Sequence, residues 1–88
     1  MHYILFYEYV KDMLERRGPF REAHLARIGI EREAGRISMA GALGDPPSGA
    51  AIVFTGVEPD VVEAFAGGDP YVEAGLVTAW RVEPWTLV

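Results

Sequence analysis

Arg36-Ile37-Ser38-Met39-Ala40-Gly41-Ala42-Leu43-Gly44-Asp45-Pro46-Pro47-Ser48-Gly49-Ala50-Ala51-Ile52-Val53-Phe54-Thr55 is the stretch whose reading decides the fold. From Arg36 to Leu43, Ile37, Met39 and Gly41 alternate with Ser38, Ala40 and Ala42, which is the period of a strand. Gly44 to Gly49 gathers turn formers and two prolines, hence a loop. Ala50 to Thr55 is then long enough to pair back antiparallel, and a hairpin occupies the middle of the chain.

Working outward, the preceding segment Pro19 to Ala34 has helical periodicity. Pro19 suits a first turn, where its missing N–H costs nothing, and Gly35 stands where helices stop in the left-handed conformation. Before it, Lys11 to Arg17 is helix-compatible, with Glu15, Arg16 and Arg17 expected on an exposed lead-in. Tyr3 to Tyr9 is rich in aromatic and β-branched residues and reads as the first strand, apolar on both faces. On the other side, Pro59 to Ala66 is a second helix with Val61, Val62 and Phe65 on its apolar stripe, closed by Gly67-Gly68. Asp69 to Gly75 reads as one helical turn. Leu76 to Glu83 is the last strand, and Pro84-Trp85 is expected to carry the chain past the sheet edge. The order β-α-β-β-α-β predicts one α+β domain over residues 1–88, a ferredoxin-like four-stranded antiparallel sheet with two helices on one face.

Eighty-eight residues, half of them hydrophobic, exclude disorder. A lone chain of this size buries only roughly 60–65% of its unfolded surface. Two helices cover one face of the sheet, while the first, third and fourth strands carry large apolar residues on both. A second copy packed on the helix-free face is therefore expected, giving a homodimer. The net charge of −5, with arginines interleaved among glutamates, disfavours a nucleic-acid partner. No apolar run reaches a membrane span, and the N-terminus lacks signal-peptide features, so the expected location is cytoplasmic and no membrane partner is expected. There is no cysteine. No HExxH, EF-hand or His/carboxylate cluster occurs, and Gly67-Gly68 lacks the lysine and hydroxyl of a phosphate loop, so neither a metal nor another cofactor is expected.

The candidate chemistry centres on Phe20-Arg21-Glu22-Ala23-His24-Leu25-Ala26-Arg27-Ile28 and Gly68-Asp69-Pro70-Tyr71. His24 falls between Phe20 and Ile28 on one helical stripe, so its imidazole points inward and needs a partner. It is either a structural histidine or an acid–base group. Asp69 precedes Pro70 and suits a helix N-cap, a role that leaves one carboxylate oxygen free to orient an imidazole. Arg21 could hold a carboxylate or phenolate, or pair with Glu22 or Glu31 at the surface. Tyr7, Tyr71 and Trp85 could line an aromatic pocket or simply pack. Gly41, inside a strand, suggests close approach of a ligand or of His24 to the backbone. His2 reads as a strand-edge residue.

The ordered series Arg21-x-x-His24-Leu25, Gly35-Arg36-Ile37, Ala40-Gly41-Ala42-Leu43, Asp45-Pro46, Asp69-Pro70-Tyr71-Val72-x-Ala74-Gly75-Leu76-Val77 and Pro84-Trp85 resembles the YCII (YciI-like) family over nearly the whole chain. The resemblance implies a dimeric α+β barrel of ferredoxin-like chains, with His24 and Asp69 as the active-site pair. Some relatives take part in dehydrochlorination of chlorinated aromatics, which implies lyase or isomerase chemistry. Two readings follow: a cofactor-free enzyme moving a proton on a small anionic or aromatic metabolite, and a non-catalytic dimeric module that binds a small molecule or a protein.

Overall fold

The computed structural model describes residues 1–88. Strand β1 spans His2–Tyr9, followed by a one-turn helix α1 (Met13–Arg16), helix α2 (Gly18–Glu33), strands β2 (Ile37–Leu43) and β3 (Gly49–Thr55), helix α3 (Pro59–Gly67), a one-turn helix α4 (Pro70–Glu73) and strand β4 (Val77–Trp85). The strands form one antiparallel sheet in the order β2-β3-β1-β4. This is the ferredoxin-like β-α-β-β-α-β arrangement.

Register explains why the central strand is apolar on both faces. Leu5 and Tyr7 of β1 lie on the helix side, opposite Ile52 and Ala50 of β3. They join Ile28, Val62, Phe65, Ala66 and Tyr71 in a core of 14 buried residues. The alternate residues Ile4 and Phe6 lie on the other face, opposite Val53 and Ala51. Met39 at 58% and Leu43 at 45% exposure extend that helix-free face along β2. On β4 the same face carries Arg81, stacked 4.4 Å over the Phe6 ring, and Glu83, so the apolar patch is built mainly on β1, β2 and β3, with Trp85 at the end of the fourth strand.

Three local expectations are corrected. β4 continues through Pro84 and Trp85, which pair with Tyr3 and His2. A proline is tolerated there because β4 is an edge strand and one of its sides makes no ladder bonds. Phe20 is 36% exposed, and the buried residues of α2 begin only at His24. On α3, Val62, Phe65 and Ala66 are buried while Val61 faces out. No helix is long and apolar enough to cross a membrane.

Gly49 opens β3 under a tight constraint, because a Cβ there would collide with the Tyr7 backbone carbonyl. Neither strand can yield without breaking the central ladder. Gly49→Ala is expected to destabilise the fold by about 1–3 kcal/mol or more. A lowered urea midpoint at unchanged m-value checks this.

Candidate active site

Helix α2 supplies one wall. At about 100° per residue, Arg17, Arg21, His24, Ile28 and Arg32 share a single stripe. The apolar member, Ile28, and His24 are the buried residues of α2, and the arginines flank them.

Asp69 arrives from the other helical layer. Arg27 of α2 donates to the Phe65 carbonyl in the last turn of α3 at 2.8 Å and lies 4.4 Å over the Phe65 ring. A cation is favourable at a helix C-terminus, and here it ties that end of α3 to α2. Gly67-Gly68 then turns the chain, and Asp69 caps α4 by accepting from the Tyr71 amide at 3.0 Å. Asp69 is fully buried, and its two oxygens also accept from the Tyr7 hydroxyl at 2.8 Å and from His24 Nδ1 at 2.9 Å each. An ionised carboxylate only accepts, so Nδ1 carries the proton of this bond and Nε2 is the free nitrogen. Nε2 takes no hydrogen bond from the chain and is not sealed off.

The electrostatics agree with an ionised Asp69. Burial disfavours its charge, but the His24 hydrogen bond and charge, the Tyr71 amide and the Tyr7 hydroxyl outweigh burial and hold the carboxyl below the usual range. Burial, followed by the Asp69 charge, pushes the Tyr7 hydroxyl far above its ordinary value, so Tyr7 remains a donor.

His24 borders a cavity of about 340 Å³ between α2 and the β2–β3 half of the sheet. The Tyr71 ring stacks on the imidazole at 3.9 Å between centroids and 10° between planes. Its hydroxyl is buried with no group in hydrogen-bond geometry. Burial raises its pKa, and the neighbouring Arg21 and Arg17 guanidiniums act in the opposite direction. Tyr9 packs edge-on against Tyr71 at 6.2 Å. Burial and the Tyr71 and Asp69 charges push its hydroxyl up to about 12. Arg17, Arg21 and Arg32 all line the cavity and form no ion pair within the chain. No aspartate or glutamate lines it.

The structure thus brings His24, Asp69, Arg21 and Tyr71 together and places the remaining candidates elsewhere. Tyr7 stands behind Asp69 and does not reach the cavity. Trp85 sits on the helix-free face against His2, with ring centroids 6.3 Å apart. Gly41 contributes backbone to the cavity wall, but no atom of the chain lies within 4 Å of the position a Cβ would take, so nothing presses on it. Arg21 pairs with neither Glu22 nor Glu31; Glu31 is taken by Arg36. Arg32 and Tyr9 were not singled out from sequence, and Arg17, expected on an exposed lead-in, is instead half-buried and lines the cavity because it caps α2 at the start of the His24 stripe. The signal for the two arginines was their helical spacing from His24. No three His, Cys, Asp or Glu side chains gather where they could hold a metal ion.

A family model described as the YCII-related domain matches residues 1–86. The chain belongs to the YCII-related family. Among its relatives, the protein YciI of Escherichia coli is 31% identical over 97 residues, covering 100% of this chain and 99% of that protein. An uncharacterized protein of Haemophilus influenzae is 32% identical over 97 residues with the same coverage. Among solved structures, 5-chloro-2-hydroxyhydroquinone dehydrochlorinase of Burkholderia phenoliruptrix, in complex with 2,5-dihydroxybenzoquinone, superposes with a TM-score of 0.81. That match has 24% identity and covers 98% of this chain and 94% of that one, a likeness of fold.

Proposed function

We propose that this YCII chain is a small enzyme that moves a proton on a small anionic, aromatic or unsaturated metabolite, with His24 as the acid–base group and Asp69 as the group that orients it. The observation that carries the reading is the division of the imidazole. Nδ1 is committed to Asp69, while Nε2 is left free beside a cavity supplied with unpaired guanidiniums. A carboxylate or phenolate held by Arg21 and Arg17 would place an adjacent C–H against Nε2. Nε2 takes the proton, the carbanion electrons form a double bond, and Asp69 stabilises the imidazolium. In elimination a leaving group departs with its electron pair. In isomerisation the proton returns at another carbon. The dehydrochlorinase among the structural relatives supports elimination, and this chemistry needs no cofactor.

The test is a turnover screen of halogenated phenols and unsaturated aromatic acids with wild type and His24→Asn. Turnover that survives the substitution sinks the reading. The alternative of a non-catalytic binding module is favoured by the N-capping role of Asp69, which gives the carboxylate a structural task. It is the correct reading if His24→Asn alters only ligand affinity.

We also propose that a second copy covers the helix-free face, because Ile4, Phe6, Met39 and Leu43 form a continuous apolar surface there on an otherwise acidic chain. Light scattering at micromolar concentration is expected to give a dimer that Met39→Glu dissociates. A wild-type monomer contradicts this.

A further inference from the structure

Four of the seven arginines are occupied elsewhere in the fold. Arg16, Arg36 and Arg81 pair with Asp12, Glu31 and Glu83, and Arg27 binds the Phe65 carbonyl. The remaining three, Arg17, Arg21 and Arg32, all line the His24 cavity, which no carboxylate enters. In a chain with thirteen acidic residues, a hollow lined by three guanidiniums and no carboxylate, with Asp69 behind His24 as the nearby negative charge, is suited to an anion.

The three are not equivalent. Arg17, the N-cap of α2, and Arg21, in its first turns, line the cavity with Tyr9 and Tyr71 on the N-terminal side of His24. Arg32 lies in the last turn of α2, eleven residues beyond Arg21. At about 1.5 Å rise per residue, that is roughly 16 Å along the helix axis. Positive charge is therefore offered at two places along the cavity. A cation in a last turn also suits the helix dipole, but that role is met by a side chain directed at solvent and does not require one that lines the hollow.

We infer that the cavity takes an elongated substrate with an anionic group at each end: one held by Arg17 and Arg21 beside His24, the other by Arg32 at the C-terminal end of α2. The inference rests on the reading of this cavity as the substrate site and adds the substrate class, a diacid. Arg32 then sets specificity without touching the reacting atoms. Its contact with the distant anion supplies binding energy that aligns the near end against Nε2.

The probes are cinnamate, with one carboxylate, and 4-carboxycinnamate, with two at opposite ends, titrated calorimetrically at constant ionic strength. Wild type is expected to bind the diacid at least about tenfold more tightly, the size of one charge-assisted hydrogen bond. Arg32→Gln is expected to erase that preference and leave cinnamate affinity unchanged, whereas Arg21→Gln weakens both probes. Equal affinities in wild type, a preference that survives Arg32→Gln, or binding of neither probe would each overturn the inference. The diacid preference is expected to persist in His24→Asn. A loss of the catalytic reading through the turnover screen is thereby distinguishable from a loss of this one.

Discussion

Asp69→Ala is expected to cost about 3–5 kcal/mol of folding stability, the range for removing one partner from a buried hydrogen-bonded ionic pair. The substitution strands three donors at once: the Tyr7 hydroxyl, the Tyr71 amide and His24 Nδ1. Each loses its acceptor in a region that water does not reach, and α4 loses its cap. Domains of this size are stable by about 5–15 kcal/mol in total, so the variant should be partly unfolded near 37 °C. Asp69→Asn is expected to cost less, because its side-chain oxygen still caps α4. The pH dependence has a definite sign. The folded-state pKa of Asp69 is lowered, so its contribution is complete above the ordinary aspartate value of about 3.9 and is lost as pH falls below it. Urea titrations at pH 7 and pH 3 should show wild type losing this increment on acidification, and Asp69→Ala lacking it at both.

His24→Asn is expected to lower kcat by about 10²–10⁴-fold, the usual contribution of a positioned acid–base group. Stability should change little, since the asparagine amide N–H can still donate toward Asp69 and the stacked Tyr71 ring keeps one face covered. The two substitutions therefore separate two functions of one pair: Asp69 carries fold and orientation, and His24 carries the chemistry. Single-turnover measurements on a substrate found in the screen, beside urea midpoints for both variants, check that division.

Much of this architecture was legible from residues alone because it depends on short-range rules. The period-2 runs, Pro19 and Pro59 in first turns, and Gly35 and Gly75 at φ +80 and +75 set the elements in order. Pro84 was misleading because propensity weighs against proline in strands, whereas the edge position of β4 is a tertiary fact. The meeting of His24 with Asp69 depends on Gly67-Gly68, whose local signal is a helix stop and not the direction the chain takes after it, and on the Arg27 contact with α3, which has no local signature. Tyr7 was misplaced for a related reason. Periodicity says which face of β1 it occupies but not that a carboxylate rather than a cavity waits there. The arginine stripe could have been found, since Arg17, Arg21, His24 and Arg32 are spaced for one helix face. What spacing alone does not show is that every other arginine has a partner.

The most direct measurement is the ¹⁵N–¹H correlation spectrum of the His24 ring at a pH where the imidazole is neutral, in wild type and in Asp69→Asn. The expected result is a proton on Nδ1, held in a slowly exchanging hydrogen bond, with Nε2 bare and shifted by added cinnamate; the substitution should weaken that bond, because one of its two acceptor oxygens and the negative charge are lost. A ring protonated on Nε2, or one indifferent to Asp69→Asn, would mean that the carboxylate does not steer the imidazole and that the proposed base is absent.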